Sequence, residues 1–223
     1  MNPEGDREEQ YRQYLLEKLA RKYGASRLPT RIKKQEAPYD RNNNPTQEDF
    51  RNEQGVSDAP VRLNAFWYDL TEQGGGLQPN PGVEYLWVVR DDGHLVIGVE
   101  DPSKFTEAFP FLNGDKSMDG LGHPTIAATF GAKGETQPGK GRIAGELKDA
   151  GGWLINDHSG RYGSGRGDTV DLLLRTAKLF GSYGIEIAYI QSKAGTDDAA
   201  LSVDEARKLV AARRTAQTTK ARL

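Results

Sequence analysis

The chain has 223 residues, 36% of them hydrophobic, with no cysteine and a formal net charge of −2. The missing cysteines exclude disulfides and thiolate chemistry, and the near-neutral charge supplies no bulk attraction to nucleic acid or to an anionic membrane. No apolar run approaches the roughly 18–20 residues that span a bilayer. The N-terminus is polar and acidic, so no cleavable signal peptide is visible. The expectation is a soluble protein made in the cytoplasm, exported, if at all, by a secretion system that does not use a signal peptide.

The hydrophobic share is below the roughly 45–50% usual for globular chains, and the deficit is uneven. Residues 1–60 and 194–223 are polar, whereas 61–193 hold all three tryptophans. This predicts an N-terminal helix and polar linker or strap (1–60), a compact core domain (61–193), and a C-terminal helix with a basic tail (194–223).

In the first segment, Tyr11, Leu15, Leu19 and Tyr23 recur every four residues with Leu16 beside them, one apolar stripe on a helix over 6–23 stopped by Gly24. Such a stripe either packs on the domain or docks a partner, for example a cognate immunity or chaperone protein. Residues 27–60 contain four prolines and few large aliphatics, too little apolar area to offset ordering entropy.

The core opens with a strand over 61–70. Two β-rich runs, 84–90 and 94–99, follow, joined through Asp91-Asp92-Gly93, a hairpin signal. His94, at the start of the second run, reads as a solvated residue. Phe105, Phe109 and Phe111 mark a loop or short helix that either plugs the core edge or covers a substrate. Further strands are expected over 125–130, 141–148 and 152–156, the last two turning at 149–151. Beyond Tyr162 the period changes to 3.6. Asp168 can cap a helix whose apolar face is Val170, Leu173, Leu174, Ala177 and Phe180, closed by Gly181 or Gly184. Residues 185–191 then read as a buried strand. Ser202 and Glu205 form a capping box for a helix over 203–214, with Arg213, Arg214, Lys220 and Arg222 as a solvated basic end. The class is α+β: a mostly antiparallel meander with a packed helix and a strand–helix–strand crossover, plus peripheral terminal helices.

Chemistry concentrates in the central block. The turn from Ser159 to Asp168 contains Gly160, Gly163, Gly165 and Gly167, which let backbone N–H groups converge. Arg161 and Arg166 can grip phosphate in a bidentate fashion where the turn enters a helix. A phosphate, pyrophosphate or nucleotide fits physically, although Asp168 competes for the same N–H groups and no Walker loop is present. A flexible loop is the plain alternative. His123, in Gly122-His123-Pro124-Thr125 at an expected strand start, can serve as acid, base or hydrogen-bond donor near neutral pH. Glu146 alternates onto the face of Ala144 and Lys148, opposite Ile143, Gly145 and Leu147. The adjacent Gly145 points to close approach by a backbone or a ligand. His158 precedes the turn. The histidines and acids show no metal-ligand spacing, so no metal is expected, and no hydrolase elbow is present.

The order His123-Pro124-Thr125, Ala144-Gly145-Glu146-Leu147 and Ser159-Gly160-Arg161-Tyr162, behind the 87–100 hairpin, resembles a module of bacterial toxin and effector proteins. A similar module occurs in plant IQ-motif calmodulin-binding proteins. The resemblance spans about residues 84–192. The module usually shows His-Ser-Ser where this chain has His123-Pro124-Thr125, and Ser-Gly-His-Tyr where it has Arg161. The 131–140 loop looks inserted, and no IQ motif is present, so calmodulin binding does not carry over. The resemblance implies a bacterial effector-like protein more than any particular activity, with a host or target-cell protein as the partner such a protein would meet.

As an expectation, the polar block then binds a nucleotide-type ligand, with NAD as substrate of an ADP-ribosyltransferase-like or glycohydrolase reaction and no required cofactor. In that reading His123 holds the ribose, Tyr162 stacks on the nicotinamide, and Glu146 or Glu186 stabilises the positive charge that develops at the breaking glycosidic bond. Ser159, Gly160, Arg161, Gly163, Gly165 and Arg166 hold the pyrophosphate. The rival is a non-catalytic binding or adaptor module in which the same residues knit a turn. A nuclease using His123 and Arg161 ranks below both, since no basic groove signature favours nucleic acid.

Overall fold

A computed structural model describes residues 3–28, 67–74, 79–99, 104, 122–130, 136–137, 139–159, 162, 168–194, 196 and 198–220. The first element is the helix α1 (Pro3–Tyr23). Strand β1 (Trp67–Asp69) leads into the one-turn helix α2 (Leu70–Gln73). The hairpin β2 (Tyr85–Arg90) and β3 (Leu95–Val99) follows. A second one-turn helix, α3 (His123–Ile126), precedes the short strands β4 (Thr129–Phe130) and β5 (Thr136–Gln137). Then come β6 (Gly141–Asp149), β7 (Trp153–Asn156), α4 (Thr169–Ser182), β8 (Ile187–Gln191), β9 (Ala200–Ser202) and α5 (Val203–Lys220).

Seven strands form one sheet in the order β1-β3-β2-β6-β7-β8-β9, while β4 and β5 pair separately. Every neighbouring pair in the large sheet is antiparallel except β7 with β8, which is parallel. The α+β class is therefore as expected. The parallel step has a cause in sequence: α4 crosses between its two strands, as parallel pairing requires.

Apolar patterning explains the layers. Trp87, Val88, Val89, Leu95 and Val96 are all fully buried, so both faces of the β2–β3 hairpin are covered. On the α4 side, the Trp87 ring meets Phe180 edge-on, with centroids 6.0 Å apart and planes at 86°. Val170, Leu173, Ala177 and Phe180 form the buried stripe of α4, and Asp168 caps it by accepting from the Asp171 N–H. At its other end Gly184, at φ +84°, takes the left-handed conformation that closes helices. The Ser202–Glu205 capping box also forms. Glu205 accepts from the Ser202 N–H at 2.8 Å, and Ser202 Oγ accepts from the Glu205 N–H at 3.3 Å.

Some expectations change. The strand expected over 125–130 begins instead as α3, because Pro124 suits the first turn of a helix and the Ala127 N–H closes on the His123 carbonyl at 3.0 Å. Strand β9 adds to the elements expected from the sequence. The helix α5 runs six residues past 214. Its Arg213 and Arg214, expected as part of a solvated end, pair with Asp168 at 3.1 Å and Asp171 at 2.9 Å on α4, Arg214 from an exposed position. Residues 61–66 of the first expected strand, and Phe105, Phe109 and Phe111, lie outside the described residues.

The C-terminal half of α1 docks on the domain. Tyr23 is buried and Leu19 packs beside it. Arg142, buried in β6, donates to the Gly24 carbonyl at 2.8 Å and to the Asp91 carbonyl at 2.7 and 3.0 Å. One guanidinium thus ties the end of α1 and the β2–β3 turn to the central strand. Arg175 of α4 donates to the Arg21 and Lys22 carbonyls, satisfying C-terminal groups that a helix leaves open.

Candidate functional site at the carboxyl end of the parallel pair

A network of polar side chains gathers where β7 and β8 end and α4 begins. In open α/β sheets, crevices at the carboxyl ends of parallel strands are where ligands bind. Asn156, the last residue of β7, is fully buried and organises the group. Its Oδ1 accepts from the Glu146 N–H at 2.9 Å and the His158 N–H at 3.0 Å. Its Nδ2 donates to Glu146 Oε2 at 2.9 Å. The Glu146 carbonyl in turn accepts from the Trp87 indole at 3.0 Å. A half-buried carboxylate on the central strand is thereby fixed from both its backbone and its side chain.

Gly145 is what allows this clasp. A Cβ there would lie 1.7 Å from the Asn156 carbonyl oxygen, so β6 and β7 approach each other more closely than any side chain permits. The close approach expected at this glycine is thus made by backbone.

Behind the clasp lies a chain of hydroxyls. Thr169 Oγ1 and Ser192 Oγ are 2.6 Å apart, and Ser192 Oγ donates to Asp157 Oδ2 at 2.9 Å. Asp157 Oδ1 also accepts from the Lys193 N–H at 3.2 Å. Both hydroxyl residues are buried, so the first residue of α4 is stapled to the ends of β7 and β8. His158 Nε2 lies 2.8 Å from Asp198 Oδ1, and Asp198 holds φ +64°, a conformation uncommon outside glycine.

The expected site residues divide. His123 reaches the backbone next to Glu146, since its Nε2 donates to the carbonyl of Gly145 at 2.9 Å. His123 is buried, and its ring serves this backbone contact. Tyr162 is buried too. Its hydroxyl donates to the Gly139 carbonyl at 2.9 Å, its N–H donates to Ser159 Oγ at 3.2 Å, and its ring covers Gly141, where a Cβ would lie 2.7 Å away. Burial raises the Tyr162 phenol far above its ordinary value. Gly141 and Glu146 are five residues apart on β6, about 16 Å along a strand, so Tyr162 and Glu146 do not meet. Glu186 is exposed just before β8, at the amino end of the parallel pair and away from Asn156. Ser159 is buried at the start of the glycine turn. Gly160, Arg161, Gly163, Gly165 and Arg166 lie outside the described residues.

A second polar cluster, unread in sequence, lies at the far edge of the sheet. Asp69 caps α2 through Oδ1, and its Oδ2 sits 2.8 Å from His94 Nδ1. His94 is therefore paired to a buried carboxylate and is not simply solvated. Asp69, Glu72 and His94 bring ligand-type atoms within 4.8 Å of one another, the spacing a metal ion uses. Arg90, 3.8 Å from Asp69 Oδ2, already supplies a cation there, and both carboxylate oxygens are engaged. Burial opposes charge on Asp92, yet the Arg90 hydrogen bond and charge outweigh it and hold the Asp92 carboxyl below its usual range.

Among the described residues no helix is long and apolar enough to cross a membrane. Comparison with family models, with curated proteins and with solved structures finds no match.

Proposed function

We propose that this chain is a secreted bacterial effector-type domain that binds a nucleotide-type ligand at the carboxyl end of the β7–β8 pair. Glu146 is its reactive carboxylate. The observation that carries this reading is the Glu146–Asn156 clasp, a half-buried carboxylate fixed by a fully buried amide at the strand ends where the glycine turn departs. Fixed charge aimed at a reacting centre is what electrostatic catalysis requires. In an ADP-ribosyltransferase-like or glycohydrolase reaction on NAD, Glu146 stabilises the positive charge on the ribose as the bond to nicotinamide breaks. His123 acts on the site through the Gly145 carbonyl, and Tyr162 supports the strand from beneath Gly141.

The test is nicotinamide release from NAD by the purified chain, with Glu146→Gln as the matched variant. Release by the wild type, reduced about a hundredfold or more in the variant at equal thermal stability, supports the reading. No binding and no turnover of NAD by the wild type refutes it.

A second reading, a non-catalytic binding or adaptor module, is favoured by the burial of His123 and Tyr162, whose polar atoms serve the backbone. It predicts that His123→Ala and Tyr162→Phe lower stability, while Glu146→Gln leaves partner binding intact.

A further inference from the structure

The two halves of α1 differ in what they face. Leu19 and Tyr23 lie against the domain, but Tyr11 and Tyr14 are 64% and 59% exposed, with Leu15 also exposed beside them. At 100° per residue Tyr11 and Tyr14 lie about 100° and 160° round the helix from the centre of the docked stripe, while Leu15 borders that stripe without being covered by the domain. Three large apolar groups on one turn-and-a-half of helix make an uncovered face.

Charge along α1 is segregated. Residues 3–13 carry Glu4, Asp6, Glu8 and Glu9 against Arg7 and Arg12, a net −2. Residues 14–23 carry Lys18, Arg21 and Lys22 against Glu17, a net +2. A helix of this kind is complementary to its own reverse. Acidic and basic halves also suit the helix dipole, but that does not account for the tyrosines exposed between them.

We infer that α1 is a self-association surface, pairing antiparallel with α1 of a second copy. Centred on Gln13, the pairing sets Tyr11 opposite the partner's Leu15, Lys18 opposite the partner's Glu8 and Lys22 opposite the partner's Glu4. The same residues recur in reverse on the other side of the two-fold axis, as an isologous interface demands. Parallel pairing would set like charges side by side. The seam is a single helix of 21 residues, about 31 Å long. It is smaller than the roughly 1,200 Å² of a stable complex, so the dimer is weak and concentration-dependent.

Sedimentation equilibrium of the full chain tests this over a loading series from about 10 µM to about 1 mM, the range for an interface below standard size. The expected result is a monomer that shifts toward dimer as concentration rises. Tyr11→Ser/Leu15→Ser weakens association at least about tenfold, the effect of removing central apolar anchors. Lys18→Glu/Lys22→Glu also weakens it, and so does Glu4→Lys/Glu8→Lys. Mixing these two charge-reversed chains restores a heterodimer, because each presents the charge the other lost. Should the serine variant lose helix by circular dichroism, the charge-reversed mixture decides alone. A chain monomeric throughout, or a dimer indifferent to these changes, overturns the inference. Dimerisation that the mixture fails to restore places the contact on another face and overturns it equally.

Discussion

Replacing Asn156 by aspartate alters one polar atom and little else, which makes it the sharpest probe of the central clasp. Oδ1 keeps its acceptor roles toward the Glu146 and His158 N–H groups. The Nδ2 donor, 2.9 Å from Glu146 Oε2, becomes an oxygen. A hydrogen bond to a charged group contributes about 1.5–3 kcal/mol, and its loss here also sets two carboxylates face to face at a fully buried position. The combined cost at pH 7 is about 3 kcal/mol or more. At 2–4 °C per kcal/mol for a chain of this size, that lowers Tm by roughly 6–12 °C. Burial and the neighbouring carboxylate raise the folded-state pKa of the new group above its unfolded value of about 3.9. The folded variant then holds a proton that the unfolded chain has released. Its stability is fully present below about pH 3.9 and is lost as pH climbs through the raised folded value. Calorimetry at pH 7 and at pH 5 should show the gap from wild type narrowing on acidification. A Tm within about 1 °C of wild type at pH 7 would falsify the clasp, since that is under 1 kcal/mol, and so would a gap of equal size at both pH values.

Three further outcomes are expected. The Tyr23 hydroxyl is buried without a hydrogen-bond partner among the described residues, so Tyr23→Phe should raise stability by about 1 kcal/mol in urea denaturation; a loss of similar size would mean the hydroxyl is satisfied. Arg142→Met keeps the volume but leaves the Gly24 and Asp91 carbonyls without their donor, so amide exchange in the last turns of α1 should accelerate more than in β7, with a stability loss of about 2–4 kcal/mol. In alkaline absorbance titration, Tyr85, whose phenol burial pushes up to about 12, and Tyr162, shifted the same way, should ionise only above the ordinary phenol range of about 10. Because the folded chain then retains protons the unfolded chain has lost, stability should fall as pH rises past about 10, and a flat profile there would remove the assignment.

Local signals in this chain were legible, whereas contacts between distant segments were not. The β2–β3 turn was readable because Gly93, at φ +91°, sits where a hairpin needs the left-handed region. The α4 cap and stripe, and the Ser202–Glu205 box, are likewise written within a few residues. The Gly145–Glu146 pair announced a close approach, but that the approaching group is Asn156, ten residues on, could not be read from spacing. Tyr162 was expected at a ligand. The glycines at 139 and 141 that receive its hydroxyl and ring lie more than twenty residues upstream, and nothing in its own turn reveals them. His94 looks solitary in sequence because its partner Asp69 precedes it by 25 residues. Arg142 looked like one more charged strand residue, yet it holds together three segments spread over more than a hundred positions.

The strand order also bears on how the chain is made. β1, β3 and β2 all precede residue 100, and β6, β7, β8 and β9 all follow residue 140, so one seam, β2 against β6, joins two contiguous half-sheets. While the ribosome is still extending the chain toward β6, the emerged β2 has a bare edge of Leu86, Trp87, Val88 and Val89, every one of them buried in the finished protein. An apolar strand with open N–H and C=O groups is a template for pairing with the wrong chain. The hazard ends when β6 arrives, so the interval of synthesis between these two strands is when a nascent copy is most exposed to aggregation, and co-expressing the two half-sheets as separate chains recreates that exposure in a form that can be timed.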